Sequence, residues 1–257
     1  MNTYGVNSII SMPRKFAAPH RILTGLAATF ATAAARRVED LRTPCLVCYH
    51  SVLERNAATM ADRAASLGCR LRPHFKTVKT LEGASIATGG TQRGLVVSTL
   101  AEARFLADGG FDDLVYAVPL TPDKIDEVLE LHDRLESLSV MVDHAAQAAA
   151  LVDRCEQAQL TRPLRVLVGV DCGYHRDGCD PQDPSSIELV RVLCASGSLY
   201  FGGLYTHGGH SYDATSAQAI RQVGEHERDA TVSLANKLRA EGIDVPCVGV
   251  GSTPTCR

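Results

Sequence analysis

The sequence has no stretch approaching the roughly 18 uninterrupted apolar residues that a membrane-spanning helix requires. It also lacks a strong charge of either sign: the formal net charge is −3, and acidic and basic residues are interspersed after residue 38. Nucleic acids and other polyanions bind proteins through dense basic patches, which this distribution does not provide. We therefore expect a soluble protein that binds neither membranes nor nucleic acid.

Acidic residues are absent from residues 1 to 38, which instead carry five basic residues among Ser, Thr and Ala. This composition is typical of an organelle transit peptide, although a disordered or loosely helical extension on a cytoplasmic protein fits it too. The sequence thus predicts an N-terminal extension over residues 1–40 and a folded domain over residues 41–257. The location is predicted as cytoplasmic or mitochondrial, undecided between the two.

No disulfide framework is indicated, because the nine cysteines are scattered and odd in number. Cys45 and Cys48 are spaced as a Cys-x-x-Cys pair, but no second pair accompanies them, and residues at i and i+3 of a strand point to opposite faces. We expect reduced thiols in the core. The hydrophobic content of 45% suffices for one sizeable core.

Segments typical of strands and helices alternate along the rest of the chain. A capping-box pattern over Ser51–Glu54 indicates the start of the first helix, which Gly68 ends. Such alternation predicts parallel strands joined by crossover helices. Candidate strands lie at 70–75, 94–98, 113–118, 138–143, 165–171, 200–206 and 246–250, with helical stretches at 80–88, 99–108, 122–135, 144–157, 185–195 and 215–240.

Two architectures fit this alternation, an open doubly wound sheet and a (β/α)8 barrel. Polar residues suited to function follow several different strands, at Lys76, 171–176, 205–212 and 249–255. An open sheet would gather them at one switch point, and the chain has neither a Gly-x-Gly-x-x-Gly nor a Walker motif. We therefore predict a (β/α)8 TIM-type barrel, with seven of its strands within this sequence.

The first candidate strand leads into a lysine. Alternation places Arg72, His74 and Lys76 on one face, and three cationic or titratable groups together require an anionic ligand. A nearby cation favours the neutral form of an amine, so Lys76 is a candidate nucleophile toward a carbonyl. The alternative is that Lys76 and Lys79 are both solvated loop residues.

Three further loops carry candidate residues. The glycine-rich run Val248–Thr255 offers backbone N–H groups and hydroxyls that suit a phosphate, although an ordinary turn has the same composition. Arg176 lies in a glycine-flanked loop, suited to a cofactor oxygen or a substrate carboxylate, or simply exposed. His207 and His210 are spaced like metal ligands, but a glycine-rich loop does not fix that geometry. His144 and the segment 226–228 look like ordinary helix-face residues.

Together these motifs resemble the D-serine dehydratase and D-threonine aldolase family, pyridoxal-phosphate enzymes of fold type III with an alanine-racemase-like N-terminal barrel. The resemblance extends from about residue 41 to the end of the sequence. Val78 departs from the family pattern, which usually has histidine there. The motifs that carry the resemblance are Thr43-Pro44, Arg72–Thr80, Asp171–Gly178, Tyr205–Tyr212 and Gly249–Thr255.

The resemblance implies that Lys76 forms the Schiff base with pyridoxal 5'-phosphate and takes the α-proton of the substrate. It also implies that Gly251, Ser252 and Thr253 hold the cofactor phosphate, and that Tyr205 and Tyr212 line the cofactor, with Tyr205 as the partner of the ring nitrogen. The implied cofactor-binding set comprises His74, Lys76, Arg176, Tyr205, Tyr212, Gly249, Gly251, Ser252 and Thr253.

A lyase acting on D-3-hydroxy amino acids is the implied function: a D-serine dehydratase, forming pyruvate and ammonia, with a D-threonine aldolase as the alternative. The expected assembly is a homodimer. Family members place a divalent metal, zinc in the eukaryotic dehydratases, on a His-x-Cys pair of a C-terminal β domain. The eighth strand, that domain and both ligands are expected to lie outside residues 1–257, so no metal ligand is predicted here. An inactive, truncated cofactor-binding or partner-binding remnant is the alternative of another class.

Overall fold

A computed structural model describes residues 9–11 and 37–256. Strands rich in Val, Leu and Gly alternate there with helices. The strands are β1 (Ile9–Ser11), β2 (Arg70–Leu71), β3 (Arg93–Val97), β4 (Asp112–Pro119), β5 (Leu138–Val142), β6 (Leu164–Gly169), β7 (Leu199–Tyr205) and β8 (Val248–Val250). The helices are α1 (His50–Ser66), α2 (Leu81–Ala87), α3 (Leu100–Asp108), α4 (Ile125–Arg134), α5 (Ala145–Ala158), α6 (Ser185–Ala195) and α7 (Ala217–Ala240).

All described strands form one sheet, in the order β2-β1-β8-β7-β6-β5-β4-β3. Every neighbouring pair from β3 to β8 is parallel, as the crossover helices require. A bridge between His74 and Val96 ties the segment after β2 to β3, so the two ends of the sheet meet. The predicted α/β barrel architecture is confirmed, with six strands in its parallel wall.

The first predicted parallel strand, at 70–75, is much shorter than expected. β2 has only two residues and pairs with β1 in antiparallel fashion, while β1 also pairs with β8. Pro73 has no N–H to donate, so it contributes only its carbonyl, which accepts from the N–H of Val96 at 2.9 Å. The transit-peptide prediction for residues 1–38 falls, apart from 9–11 and 37–38, outside the described residues.

Helix α1 begins two residues earlier than its capping-box pattern predicted. Its N-cap is Tyr49, whose side chain makes no capping hydrogen bond, so the prediction at Ser51 is wrong. A capping box is present instead at α5. The His144 side chain accepts a hydrogen bond from the backbone of the first turn, and the Gln147 side chain accepts one from the backbone N–H of His144. No helix in the described part of the chain is both long and apolar enough to cross a membrane.

Apolar residues fill two layers. One lies between the sheet and the helices, and the other lies inside the barrel, where Val96, Val115, Met141, Leu167 and Tyr205 pack together. Each fully buried side chain of this size contributes about 1.5–3 kcal/mol. We call the barrel end at the carboxyl ends of the parallel strands the mouth, and the opposite end the floor. The interior layer separates them.

Candidate functional site

The lysine predicted as nucleophile lies on a short 3-10 turn, Phe75–Thr77, at the mouth. His74 caps this turn, because its Nδ1 accepts from the backbone N–H of Lys76 at 3.2 Å. The other ring nitrogen of His74 shares a hydrogen bond of 3.0 Å with the Ser98 hydroxyl. The Lys76 side chain is exposed and has no ion pair within residues 37–256. The backbone is fixed while the amine stays available.

Lys79 differs from Lys76 in having an anionic partner. Its Nζ lies 3.0 Å from Oε1 of Glu102, a carboxylate that is almost fully buried. The second oxygen of Glu102 accepts from the backbone N–H of Ser98 at 2.8 Å. Lys79 therefore neutralises a buried structural carboxylate.

Arg72 does not join His74 and Lys76 as the alternation predicted. Its Nη2 lies 2.6 Å from Oδ1 of Asp113, and its Nη1 donates to the Asp113 carbonyl at 3.1 Å. Both side chains are largely buried, and Asp113 lies at the floor end of β4. The expected shared anionic ligand is wrong for Arg72, because a carboxylate of the chain itself fills that role.

Hydroxyl groups join the loops that follow β7 and β8. Ser252 is fully buried, and its Oγ shares hydrogen bonds with the hydroxyls of Ser211 at 2.7 Å and Thr255 at 2.9 Å. The Tyr212 hydroxyl donates to the Thr253 hydroxyl at 3.1 Å. Ser252 and Thr253, two of the predicted phosphate residues, therefore each bond to a hydroxyl of the loop after β7, and we call these five hydroxyls at the mouth the hydroxyl cluster.

Glu227 lies beneath this cluster, although its sequence segment looked like an ordinary helix face. It is buried on α7 and accepts from the Gly208 N–H and, at 2.7 Å, from the Thr255 hydroxyl. Burial raises the pKa of this carboxyl, and its hydrogen-bond donors oppose the rise. A signal was available: Glu227 is four residues from both Val223 and Thr231, which are buried on the same stripe of α7.

His207 lies between the lysine turn and the hydroxyl cluster. Its Nδ1 donates to the Gly251 carbonyl at 3.1 Å, and burial, with the charges of Arg176 and Lys76, lowers its pKa. Burial first, then the charges of Lys76, His207 and Lys79, lowers the pKa of His74 to about 3. Both imidazoles are therefore neutral near pH 7.

The loop after β6 covers one side of the mouth. It closes on itself, since Asp171 donates its N–H to the Cys179 carbonyl at 2.9 Å. Tyr174 stacks on His210 with ring centroids 5.6 Å apart, and a Cβ at Gly209 would lie only 2.2 Å from the Tyr174 ring. Glycine is thus required where the two loops touch.

Three predicted cofactor residues take different positions. Arg176 is exposed on this loop, pairs with Asp177 at 2.8 Å and lies 5.4 Å from the Tyr174 ring. Tyr205 packs in the apolar interior layer below the mouth. Gly249 lies within β8, where its carbonyl accepts from the Thr206 N–H at 3.0 Å. Arg176 thus lies at the rim of the mouth, whereas Tyr205 and Gly249 lie within the barrel.

The two histidines considered as metal ligands do not form a metal centre with their neighbours. His207 donates to Gly251, while Nδ1 of His210 is buried without a partner in the described ranges. No group of three or more His, Cys, Asp or Glu side chains within residues 37–256 is arranged to hold a metal ion. The mouth instead offers an exposed amine, neutral imidazoles and clustered hydroxyls, a set suited to a carbonyl compound bearing a phosphate.

Comparison with known proteins shows which proteins this chain resembles. The chain is 35% identical over 230 residues to a D-serine dehydratase of Dictyostelium discoideum, covering 85% of this chain and 58% of that protein. The structure of D-threo-3-hydroxyaspartate dehydratase from Delftia sp. HT23 matches with a TM-score of 0.76 and 33% identity, over 84% of this chain and 57% of the other. D-threonine aldolase from Filomicrobium marinum matches with a TM-score of 0.75 and 26% identity, over 81% and 56%.

The chain thus spans somewhat more than half the length of these relatives. The family model for the alanine racemase N-terminal domain matches residues 50–257, which include the lysine turn and the hydroxyl cluster. The alanine-racemase-like α/β barrel predicted from the sequence is confirmed, and the chain belongs to the alanine racemase N-terminal domain family.

Proposed function

We propose that the barrel mouth binds pyridoxal 5'-phosphate, with Lys76 as its covalent attachment point and the loops after β7 and β8 as its phosphate site. The family depends on this cofactor. The observation that carries the proposal is the position of His207. Its Nδ1 donates to the Gly251 carbonyl, and the charge of Lys76 contributes to the lowering of its pKa. The reactive amine and the hydroxyl cluster therefore open onto the same space.

The residues present fit such a cofactor. Lys76 supplies an exposed amine for an aldehyde, and Ser211, Ser252 and Thr253 supply hydroxyls for phosphate oxygens. Gly251 has φ +138°, a conformation that residues with a Cβ rarely adopt. A glycine there lets the backbone approach a phosphate closely.

When bound, the cofactor supplies an electron sink for the bonds at the substrate's α-carbon. In dehydration Lys76 would take the α-proton at Nζ, and this proton with the departing β-hydroxyl makes up the water lost, while His74 holds the lysine turn by accepting from the Lys76 backbone N–H. His207 is neutral near pH 7, with its Nδ1–H donated to the Gly251 carbonyl, so it adds no positive charge to the site. Arg176, exposed at the rim, is placed to bind a substrate carboxylate.

The reaction class proposed is a lyase acting on D-3-hydroxy amino acids, with D-serine dehydration first. Support comes from identities of 35% and 36% to a D-serine dehydratase and a D-threo-3-hydroxyaspartate dehydratase. The aldolases match at 29% and 26%, so aldol cleavage is the second candidate. The described residues offer no group of metal ligands, so no step is assigned to zinc.

Borohydride trapping tests the cofactor proposal. The protein is incubated with pyridoxal phosphate, reduced, digested and mapped by mass spectrometry. The modification is expected on Lys76 and lost in Lys76→Ala, whereas Lys79→Ala, whose lysine pairs with Glu102, retains it. Modification spread equally over surface lysines would refute the assignment.

A product assay tests the reaction class. Protein that forms the cofactor adduct in the borohydride test is supplied with D-serine, D-threonine or D-threo-3-hydroxyaspartate, with and without zinc. Keto acid with ammonia supports dehydration, and glycine with an aldehyde supports aldol cleavage. Covalent cofactor without either product would identify a cofactor-binding domain that has no lyase activity by itself.

A further inference from the structure

Three hydroxyls of the cluster form a chain of hydrogen bonds that ends on the buried carboxylate of α7. Ser252 Oγ lies between the hydroxyls of Ser211, at 2.7 Å, and Thr255, at 2.9 Å. The Thr255 hydroxyl then lies 2.7 Å from Oε2 of Glu227. We call Ser211, Ser252 and Thr255 the hydroxyl chain. It joins the proposed phosphate site to a titratable group that lies outside that site.

An ionised Glu227 fixes the direction of every bond in the hydroxyl chain. Since a carboxylate can only accept, the Thr255 hydroxyl donates to it; the other acceptor within reach, the Ser252 carbonyl, is farther away at 3.3 Å. The Thr255 oxygen accepts from the Ser252 hydroxyl and from the Ser252 backbone N–H. Ser252 in turn accepts from Ser211. All three hydroxyl protons are therefore used within the chain, and none is left for a ligand oxygen.

A proton on Glu227 reverses the hydroxyl chain. The protonated carboxyl donates to Thr255, whose oxygen is then occupied by this proton and by the Ser252 N–H. Ser252 must therefore donate to Ser211, and the Ser211 proton becomes available to an acceptor outside the chain. A phosphate dianion accepts hydrogen bonds and has no proton to donate. It therefore fits the reversed direction of the chain.

The groups around Glu227 do not balance its charge. Its other donors are backbone N–H groups, and it forms no ion pair within residues 37–256. Its charge acts on the thiols of Cys172 and Cys256, but burial raises the pKa of both thiols, so they are neutral near pH 7. Arg63 of α1 donates to the Cys256 carbonyl at 2.8 Å, and His207 is neutral. A bound phosphate would therefore be repelled by an ionised Glu227.

We propose that Glu227 is a positioning residue for the cofactor phosphate, and that phosphate binding takes up one proton at Oε2 of Glu227, reversing the hydroxyl chain. This inference rests on the proposed cofactor function. The proton comes from solvent, and the change breaks no covalent bond of the ligand. Glu227 acts through Thr255 and Ser252, without touching the phosphate itself.

Titration with pyridoxal phosphate, from about pH 5 to about pH 8.5, tests the proposal across the range of a raised carboxyl pKa. Glu227→Gln offers an amide N–H to Thr255 at every pH, so it holds the chain in the reversed direction. The wild-type affinity relative to this variant should fall as the pH rises, by at most about tenfold per pH unit. At the upper end the variant should bind about tenfold tighter or more. Glu225→Gln, exposed on α7, should behave as wild type.

Two further comparisons isolate the hydroxyl chain. Thr255→Val breaks the link to Glu227 and should remove most of the pH-dependent difference, whereas Thr255→Ser keeps the hydroxyl and should retain it. Thr255→Val therefore decides the matter even if Glu227→Gln does not fold. Pyridoxal, which has the aldehyde without the phosphate, should bind wild type and Glu227→Gln with the same pH dependence.

The position of the proton is measured directly. Calorimetry in two buffers of different ionisation enthalpy should show wild type taking up more protons than Glu227→Gln on binding, by at most one. The phosphorus resonance of the bound cofactor should be that of the dianion; a monoanion in wild type would place the proton on the ligand and overturn the inference. Equal pH profiles in wild type and Glu227→Gln, with Lys76 still trapped by borohydride, would overturn this inference alone. Absence of the Lys76 adduct in every variant would overturn the cofactor proposal as well.

Discussion

The mouth and the floor of the barrel both contain buried polar residues, but they treat charge in opposite ways. At the mouth, burial lowers the pKa of His74 and His207 and raises that of Glu227, so each group shifts toward its neutral form. At the floor, Arg72 and Asp113 keep their charges in a buried pair. The comparison shows that polar side chains are buried at one end as groups shifted toward their neutral forms and at the other end as a charged pair.

The largest effect that tests this comparison is expected at the floor. Asp113→Asn keeps a residue that tolerates φ +60° but leaves Arg72 buried without its anion. We expect a loss of about 3–5 kcal/mol in the free energy of unfolding, measured by urea denaturation. Asp108→Asn removes an exposed ion pair with Arg134 and should cost at most about 1 kcal/mol. Equal losses in the two variants would show that the floor pair is not a special case.

A somewhat smaller effect is expected at the mouth. Glu227→Ala removes the acceptor for the Gly208 N–H and the Thr255 hydroxyl, and should cost about 2–3 kcal/mol. Glu227→Gln retains one acceptor oxygen and should recover most of that loss, because burial disfavours the charged carboxylate and raises its pKa. Glu225→Ala, exposed on the same helix, is the control. A Gln variant as unstable as the Ala variant would mean that the mouth depends on charge after all.

The same comparison separates what was predictable from the sequence. Local periodicity predicted nearly every strand and helix, and the loop motifs led to Lys76 and Ser252. Sequence patterns failed where the partner is distant in sequence. Nothing near Arg72 indicates that it forms an ion pair with Asp113, 41 residues later. Alternation also missed the 3-10 turn that carries Lys76, and it did not show which end of the barrel each side chain occupies.

Glu227 and His144 show a second limit. Both were classed as ordinary helix-face residues, because no nearby residue in the sequence is an obvious partner. His144 caps α5 through backbone N–H groups, and Glu227 binds two loops that are adjacent only in the folded chain. A sequence does not show which backbone N–H groups a side chain will bind. Side chains that bind them must therefore be identified from their position on a buried stripe or at a helix start.

Stability against pH provides the third test. The folded-state pKa of His74 is about 3, below the 6.5 of an ordinary histidine, so the unfolded chain binds the extra proton. The stabilisation is complete above pH 6.5 and is lost as the pH falls toward 3, by at most about 1.4 kcal/mol per pH unit. His74→Asn retains an acceptor for the Lys76 N–H and should flatten this slope between pH 6.5 and 4. His50→Asn, at the exposed start of α1, is the comparison variant.

The smallest expected quantity is the coupling between the two ends. Asp113→Asn and Glu227→Gln act on groups separated by the apolar layer, and sites without shared partners usually add within about 0.3–0.5 kcal/mol. The free energies of unfolding of both single variants and the double variant therefore close a thermodynamic cycle with an interaction energy in that range. A coupling above about 1 kcal/mol would mean that the layer transmits strain between mouth and floor, and that neither end can be treated as an independent site. An additive result would mean that the packing at each end can be changed without altering the other.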